Sequence, residues 1–329
     1  MSWLFLGALA LLQPGAEPRP TDDHMAADPV AHGEIVEALP EGVATDILEL
    51  TPDAYRRMTV PVTIMGTGPY RFLIDTGAQA TVLSNTLADR LQLIDRRAAT
   101  LVGMSSARQV EVTRVPDFAL GSRVLAIRQA PLVAPENIGG ADGILGLDSL
   151  QDQRVLLDFA NREVHVADAA TLGGDRGYDI VVRARRELGQ LIIARAQLNG
   201  IAVSVIVDTG AQGSIGNAAL LARLRRAANH GDAQMTDING VTRTGTMRNA
   251  RKLVLGRAEL ANFPITFAPS PTFAALGLAD RPAMVLGMNE LRAFDRVAID
   301  FATRRILFDM PASVTRQIDP FIGRPRTMR

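Results

Sequence analysis

The chain of 329 residues has no cysteine, a single tryptophan and a single lysine, Lys252. Without cysteine there can be no disulfide framework, no thiolate nucleophile and no cysteine-bound metal. The compartment stays open, because oxidising surroundings permit disulfides without requiring them. Formal net charge is zero, 35 basic residues against 35 acidic ones, so nothing favours a polyanionic partner, and no nucleic acid is expected. The four histidines, His24, His32, His165 and His230, lack metal-ligand spacing and read as surface or structural residues. There is no Gly-x-Ser-x-Gly, phosphate loop or dinucleotide fingerprint. The apolar run at the N-terminus, Trp3 to Leu12, is too short to span a bilayer comfortably.

What the chain does have is a repeat. Phe72-Leu73-Ile74-Asp75-Thr76-Gly77-Ala78-Gln79 returns 133 positions later as Val205-Ile206-Val207-Asp208-Thr209-Gly210-Ala211-Gln212. In each copy an apolar, partly β-branched run predicts a buried strand, and the carboxylate that follows is broken into a tight turn by Thr-Gly. A buried carboxylate is unfavourable unless it is hydrogen-bonded or shares a proton, so two equivalent ones imply halves that present them to each other. The repetition continues downstream. Ile144-Leu145-Gly146 precedes the strand-like Val155 to Asp158, and Val285-Leu286-Gly287 precedes Val297 to Asp300. Gly146 and Gly287 are 141 apart, so the halves differ by a short loop insertion.

Taken together these residues resemble the aspartic peptidases, over most of the chain from about Thr51 to Met310. The Asp-Thr-Gly turn and the apolar-apolar-glycine element both occur twice, and the resemblance implies that each glycine element passes behind a catalytic turn. Asp142 to Leu147 is similar to the pepsin-type version, whereas Ala78 and Ala211 resemble the retroviral type. The implied relative is a bacterial retropepsin-like peptidase with both lobes fused. The pepsin-type flap tyrosine has no counterpart, since the only tyrosines are Tyr55, Tyr70 and Tyr178. The expected fold is all-β: a bilobal aspartic-peptidase fold of two duplicated, mainly antiparallel β-barrel lobes on a pseudo-twofold axis, with few short helices.

Length and a hydrophobic content of 47% suit two cores. The expected organisation is an export signal at 1–16, a flexible leader at 17–45, lobes at 46–172 and 179–312 joined by a linker at 173–178, and a basic tail at 313–329. The chain is accordingly expected to be exported, periplasmic or secreted, with no stable membrane span after signal removal, and tethered to a membrane if the apolar run is retained. In the first lobe Met58 to Met65 alternates as a strand, Gly66 to Pro69 supplies a turn, and Ser84 caps a short helix. Thr100 to Val115 predicts a hairpin over the site, with Gly103, Met104 and Ser105 as flap candidates. In the second lobe Asn199-Gly200 signals a hairpin turn, Asn217 to Ala228 a helix longer than its first-lobe counterpart, and Asp237 to Met247, with Asn239 and Gly240, a matching flap. Asp142, Asp148, Asp158 and Asp300 read as turn or surface carboxylates.

Peptide hydrolysis needs a base for water and an acid for the carbonyl or departing amine, and one residue cannot start in both states. Asp75 and Asp208, a hydrogen bond apart, would hold one proton between them and supply both roles around one water. Gly77 and Gly210 keep Cβ atoms off the approaching peptide, and the resemblance implies that Thr76 and Thr209 brace the two turns. Because Ala78 and Ala211 cannot donate a side-chain hydrogen bond to the carboxylates, activity is expected nearer neutral pH than a digestive acid enzyme shows. The expected partner is a protein or peptide substrate held extended in the cleft by a monomer, with no metal and no organic cofactor. The alternative is a non-catalytic peptide-binding or regulatory protein of the cell envelope that keeps the fold.

Overall fold

The computed structural model describes residues 58–311 apart from 168–170, 173, 188–189 and 225–228, together with strand residues 3–5, 11–14, 46–49 and 51–52. The expected leader at 17–45 and basic tail at 313–329 lie outside the described residues. The protein is an all-β, bilobal molecule built from two nine-stranded sheets and one six-stranded sheet. Each nine-stranded sheet is built on one half of the repeat and takes one edge strand from the first 14 residues.

In the first lobe Met58–Ile64 and Thr67–Ile74 form an antiparallel pair, and Thr67–Ile74 leads into the Asp75 turn. Strand Gly143–Leu145 lies between Thr67–Ile74, parallel to it, and Val82–Ser84, antiparallel to it. The second lobe repeats this with Gln190–Leu198, Ile201–Val207, Ser214–Gly216 and Ala283–Leu286 in the same relations. All three residues of Gly143–Leu145 are buried, as are all four of Ala283–Leu286, which is why these short segments are apolar throughout rather than alternating. Short helices follow the turns: Asn85–Arg90 is capped by Ser84, whose Oγ accepts from Leu87 N, and Ala218–Arg223 by Asn217, whose Oδ1 accepts from Leu220 N.

Two local expectations are corrected. The first hairpin turns at Met65–Gly66, with φ of 49° and 72°, and Thr67 to Pro69 already belong to the returning strand. This is the two-residue geometry of Asn199–Gly200 in the second lobe, where φ is 51° and 83°, so matched strand lengths rather than the Gly-Pro signal place the turn. The helix after Asn217 has six residues, Ala218–Arg223, the same as its first-lobe counterpart, because Leu224 already leaves helical geometry.

The six-stranded sheet joins the halves. Arg154–Asp158 of the first half pairs along its length with Arg296–Asp300 of the second, with Glu163–Ala167 and Arg305–Asp309 outside them. Asp158 and Asp300 are turn carboxylates here, accepting from Asn161 N and Thr303 N at 2.8 Å each, but both are buried rather than on the surface. Asp300 also pairs with the buried guanidinium of Arg154, Nη2 to Oδ2 2.7 Å, directly across the seam between the lobes.

Long hairpins rise from both lobes. Arg96–Val102 and Ala107–Leu120 form the first, and Asn229–Thr236 and Thr242–Leu255 the second, so each is longer than the sequence suggested. Strand Leu11–Pro14 pairs antiparallel with Ala99 to Val102 on the outer edge of the first, and Trp3–Phe5 pairs parallel with Gln234 to Thr236 on the outer edge of the second. Among the described residues no helix is long and apolar enough to cross a membrane.

Candidate active site

The two equivalent strands Thr67–Ile74 and Ile201–Val207 end at the seam and deliver Asp75 and Asp208 to the same place. Neither carboxyl is more than 1% exposed. A Cβ built on Gly77 would fall 2.7 Å from Asp208 Oδ1, and one on Gly210 would fall 2.7 Å from Asp75 Oδ1, so each turn packs its bare Cα against the other turn's carboxylate. Any larger residue at either position would displace the opposite carboxyl.

Within each turn the carboxylate is held by its own loop. Asp75 Oδ1 accepts from Gly77 N at 2.8 Å and Ala78 N at 2.9 Å, and Asp208 Oδ1 from Gly210 N at 2.8 Å and Ala211 N at 3.2 Å. Asp75 Oδ2 and Asp208 Oδ2 have no partner of this kind. The threonines cross the seam. Thr76 Oγ1 donates to Val207 O at 3.0 Å and accepts from Thr209 N at 3.2 Å, while Thr209 Oγ1 donates to Ile74 O at 2.8 Å and accepts from Thr76 N at 3.1 Å. Four buried bonds in twofold arrangement therefore fix one turn against the other.

The strands behind the turns hold them from beneath. Asp75 N donates to Leu145 O and Asp208 N to Leu286 O, both at 3.1 Å. Leu147 N donates to Ala78 O and Met288 N to Ala211 O, both at 2.8 Å. Gly146 and Gly287 lie so close to the backbone of Ala80 and Gly213 that a Cβ on either would collide. Ile144 and Val285 fill the apolar space between turn and strand.

Sequence reasoning missed the next layer. Thr81 Oγ1 accepts from Gly146 N at 3.2 Å and donates to Asp148 Oδ1 at 2.6 Å, and Ser214 Oγ accepts from Gly287 N at 3.3 Å and donates to Glu290 Oε2 at 2.7 Å. The signal was available: a hydroxyl six residues after each aspartate and an acid two or three residues after each glycine. Burial raises the Glu290 pKa to about 7, against which the Ser214 hydrogen bond works.

The hairpin tips close over the seam by exchanging sides. Met104 of the first packs in a cluster with Ile206 and Ala211 of the second lobe, and Ile238 of the second packs with Leu73 and Ala78 of the first. Asp237, fully buried, ties them: it accepts from Ser105 N at 3.0 Å and Ser106 Oγ at 2.7 Å. Asn239 Nδ2 donates to Leu101 O at 3.1 Å, and a Cβ on Gly103 would meet the Asp237 carboxylate. Gly240, at φ 71°, turns the second tip against Asn137 of the first lobe.

The environment shifts both carboxyls the same way. Burial pushes Asp75 well above the ordinary carboxylate range, and the charge of Asp208 adds to it; burial also raises Asp208. Two acids so placed resist joint ionisation and favour a state with one proton between them. Among the described residues no group of three or more potential ligands is placed to hold a metal. A surface cleft lined by Val182, Ala184, Arg195 and Gly256 contains neither carboxyl nor any hairpin-tip residue.

A profile of the aspartyl protease family matches residues 60–149 and 194–289, one match in each lobe. The chain belongs to the aspartyl protease family. Each match includes one Asp-Thr-Gly turn, the hydroxyl six residues later and the strand that precedes Gly146 or Gly287. The two matched regions are thus the two halves of the structural repeat, and this aspartyl protease homologue carries both in one chain.

Proposed function

We propose that the protein is an aspartic endopeptidase in which Asp75 and Asp208 share one proton and activate a water for attack on a peptide carbonyl. The observation that carries this reading is the arrangement of the carboxyls: each Oδ1 is saturated by its own turn, leaving the two Oδ2 atoms as the unsatisfied acceptors at the seam. One Oδ2 then carries the shared proton and the other draws a proton from water as the hydroxyl adds to the carbonyl carbon; the first protonates the departing amine nitrogen as the C–N bond breaks, and the proton taken from water stays on the second, so the pair again holds one. Thr76, Thr209, Gly77 and Gly210 hold the pair in register, and Ala78 and Ala211 leave its pKa unlowered by any further side chain.

Substrate binds as an extended peptide beneath the hairpins, with backbone hydrogen bonds for affinity and apolar pockets for choice of side chain. The chain's own strands at 3–5 and 11–14 support this mode. They pair with the two hairpin edges, parallel in one and antiparallel in the other, so these edges accept extended backbone in either direction. Because both carboxyls are buried under joined tips, a polypeptide is admitted only when the tips part. We further propose that the protein acts outside the cytoplasm as a monomer, without metal or organic cofactor.

The test is cleavage of a mixed peptide library by protein lacking residues 1–16, beside Asp75→Asn and Asp208→Asn variants. Loss of cleavage in both variants is expected. Cleavage that survives either substitution refutes the dyad, and peptide binding without cleavage by the unsubstituted protein supports a binding protein instead.

A further inference from the structure

Strand Gln190–Leu198 begins beside the first catalytic turn, although Gln190 belongs to the second lobe. Its side chain is fully buried and its Nε2 donates to Gly77 O, across the seam. The carbonyl it holds is that of the glycine whose Cα faces the Asp208 carboxylate. The other end of the amide, Oε1, is buried without a partner. A side chain that served only to brace the turn would be served equally by a donor alone. A buried acceptor with nothing to accept is costly, and the cost is relieved when a donor enters the site.

Neighbouring atoms strengthen the case. Asp75 Oδ2 and Asp208 Oδ2 at the same seam are also buried acceptors without partners among the described residues. The catalytic seam therefore presents unsatisfied oxygens, which complements the N–H groups along one face of an extended peptide and the hydrogens of a bound water. The dyad oxygens are committed to water and the shared proton on the reading above. Gln190 is not.

We infer that Gln190 is a substrate-positioning residue, whose Oε1 accepts a backbone N–H of the peptide next to the scissile bond while Gly77 O fixes the amide's orientation. This rests on the proposed peptidase activity.

The experiment uses a peptide cleaved by the wild-type protein and a set of analogues in which one backbone N–H at a time is replaced by an ester oxygen. Steady-state cleavage is measured for wild type and for Gln190→Met, which keeps the length of the side chain and removes both polar atoms; thermal unfolding confirms that the variant is folded. Gln190→Ala carries the same test should methionine not be accommodated. One lost neutral hydrogen bond corresponds to about a 3- to 10-fold rise in KM with little change in kcat. We expect that rise in Gln190→Met with the all-amide peptide, the same rise in wild type with one particular ester analogue, and no further rise when the two are combined. Equal KM in wild type and Gln190→Met, or effects that multiply at every ester position, overturns the inference while leaving the peptidase reading intact. A wild-type protein that neither binds nor cleaves peptides overturns both.

Discussion

Replacing Glu290 by glutamine tests the support behind the second Asp-Thr-Gly turn, and the size of the effect can be worked from the structure. Glu290 is buried, accepts from Ser214 Oγ at 2.7 Å, and is raised by burial from 4.5 to about 7. In the native protein it therefore stays protonated through a range in which the unfolded chain has released its proton. Binding more protons folded than unfolded makes stability fall as pH rises from about 4.5 to about 7, after which the penalty is constant. A shift of that size corresponds to about 3 kcal/mol. Glutamine has no proton to lose, so Glu290→Gln escapes the penalty and keeps an oxygen for Ser214. Urea unfolding of both proteins at several pH values between 4 and 8 gives the difference directly, and other titrating groups cancel in it. The variant should gain on wild type by about 3 kcal/mol between pH 4.5 and 7.5, most of it below neutrality. A difference that stays flat across this range would show that Glu290 ionises normally, and the buried-acid reading of this layer would fail.

Thr76→Val strands two buried backbone groups, Val207 O and Thr209 N, and should cost about 2–6 kcal/mol of stability by chemical denaturation, with Thr76→Ser close to wild type. Arg154→Met leaves the Asp300 carboxylate buried and unpaired at the seam, a loss of about 3–5 kcal/mol, and adding Asp300→Leu should restore most of it. Native-state hydrogen exchange should be faster at the Ser105 and Val241 amides of the hairpin tips than at Thr76 N and Thr209 N. Equal protection at the two levels would mean that the tips do not open separately.

Much of this architecture is legible because it is written twice. The apolar run, Asp-Thr-Gly and apolar-apolar-glycine elements are local in sequence, and a buried strand ending at a buried carboxylate leaves few arrangements other than two lobes facing each other. The strand passing behind each turn follows from the same logic, since Ile144-Leu145 and Val285-Leu286 are too apolar for any exposed position. What stayed hidden depends on contacts between distant residues. The sheet shared by the lobes pairs Leu156 with Ala298, and Gln190 reaches Gly77 across 113 positions, neither of which leaves a periodic trace. Met65 shows the opposite failure: a local signal, Gly-Thr-Gly-Pro, was overruled by strand register, which put a left-handed conformation on methionine. The exchange of hairpin tips was invisible for a similar reason, because Met104 and Ile238 look like ordinary turn-flanking apolar residues until the opposite lobe is present to cover them.

Three layers hold the lobes together, and they differ in how completely their polar atoms are satisfied. In the shared sheet, Arg154–Asp158 pairs residue for residue with Arg296–Asp300, and a buried ion pair closes the seam. In the threonine layer every hydroxyl both donates and accepts across the seam, and parting it would expose four bonds with nothing to replace them until water arrives. The hairpin tips are bound by Asp237, yet Ser105 Oγ and Asn239 Oδ1 are buried there without partners. Opening the tips hydrates both of those atoms, so water offsets part of what the broken Asp237 bonds cost; the threonine hydroxyls and the paired strands of the shared sheet have no such unsatisfied atom among the groups their opening would separate. The free-energy gradient therefore runs outward, from a seam that keeps the two carboxyls in register to a cover that can lift without disturbing them. The proposed peptidase activity, which requires a site dry enough for its acids to share a proton and accessible to a polypeptide, needs that ordering.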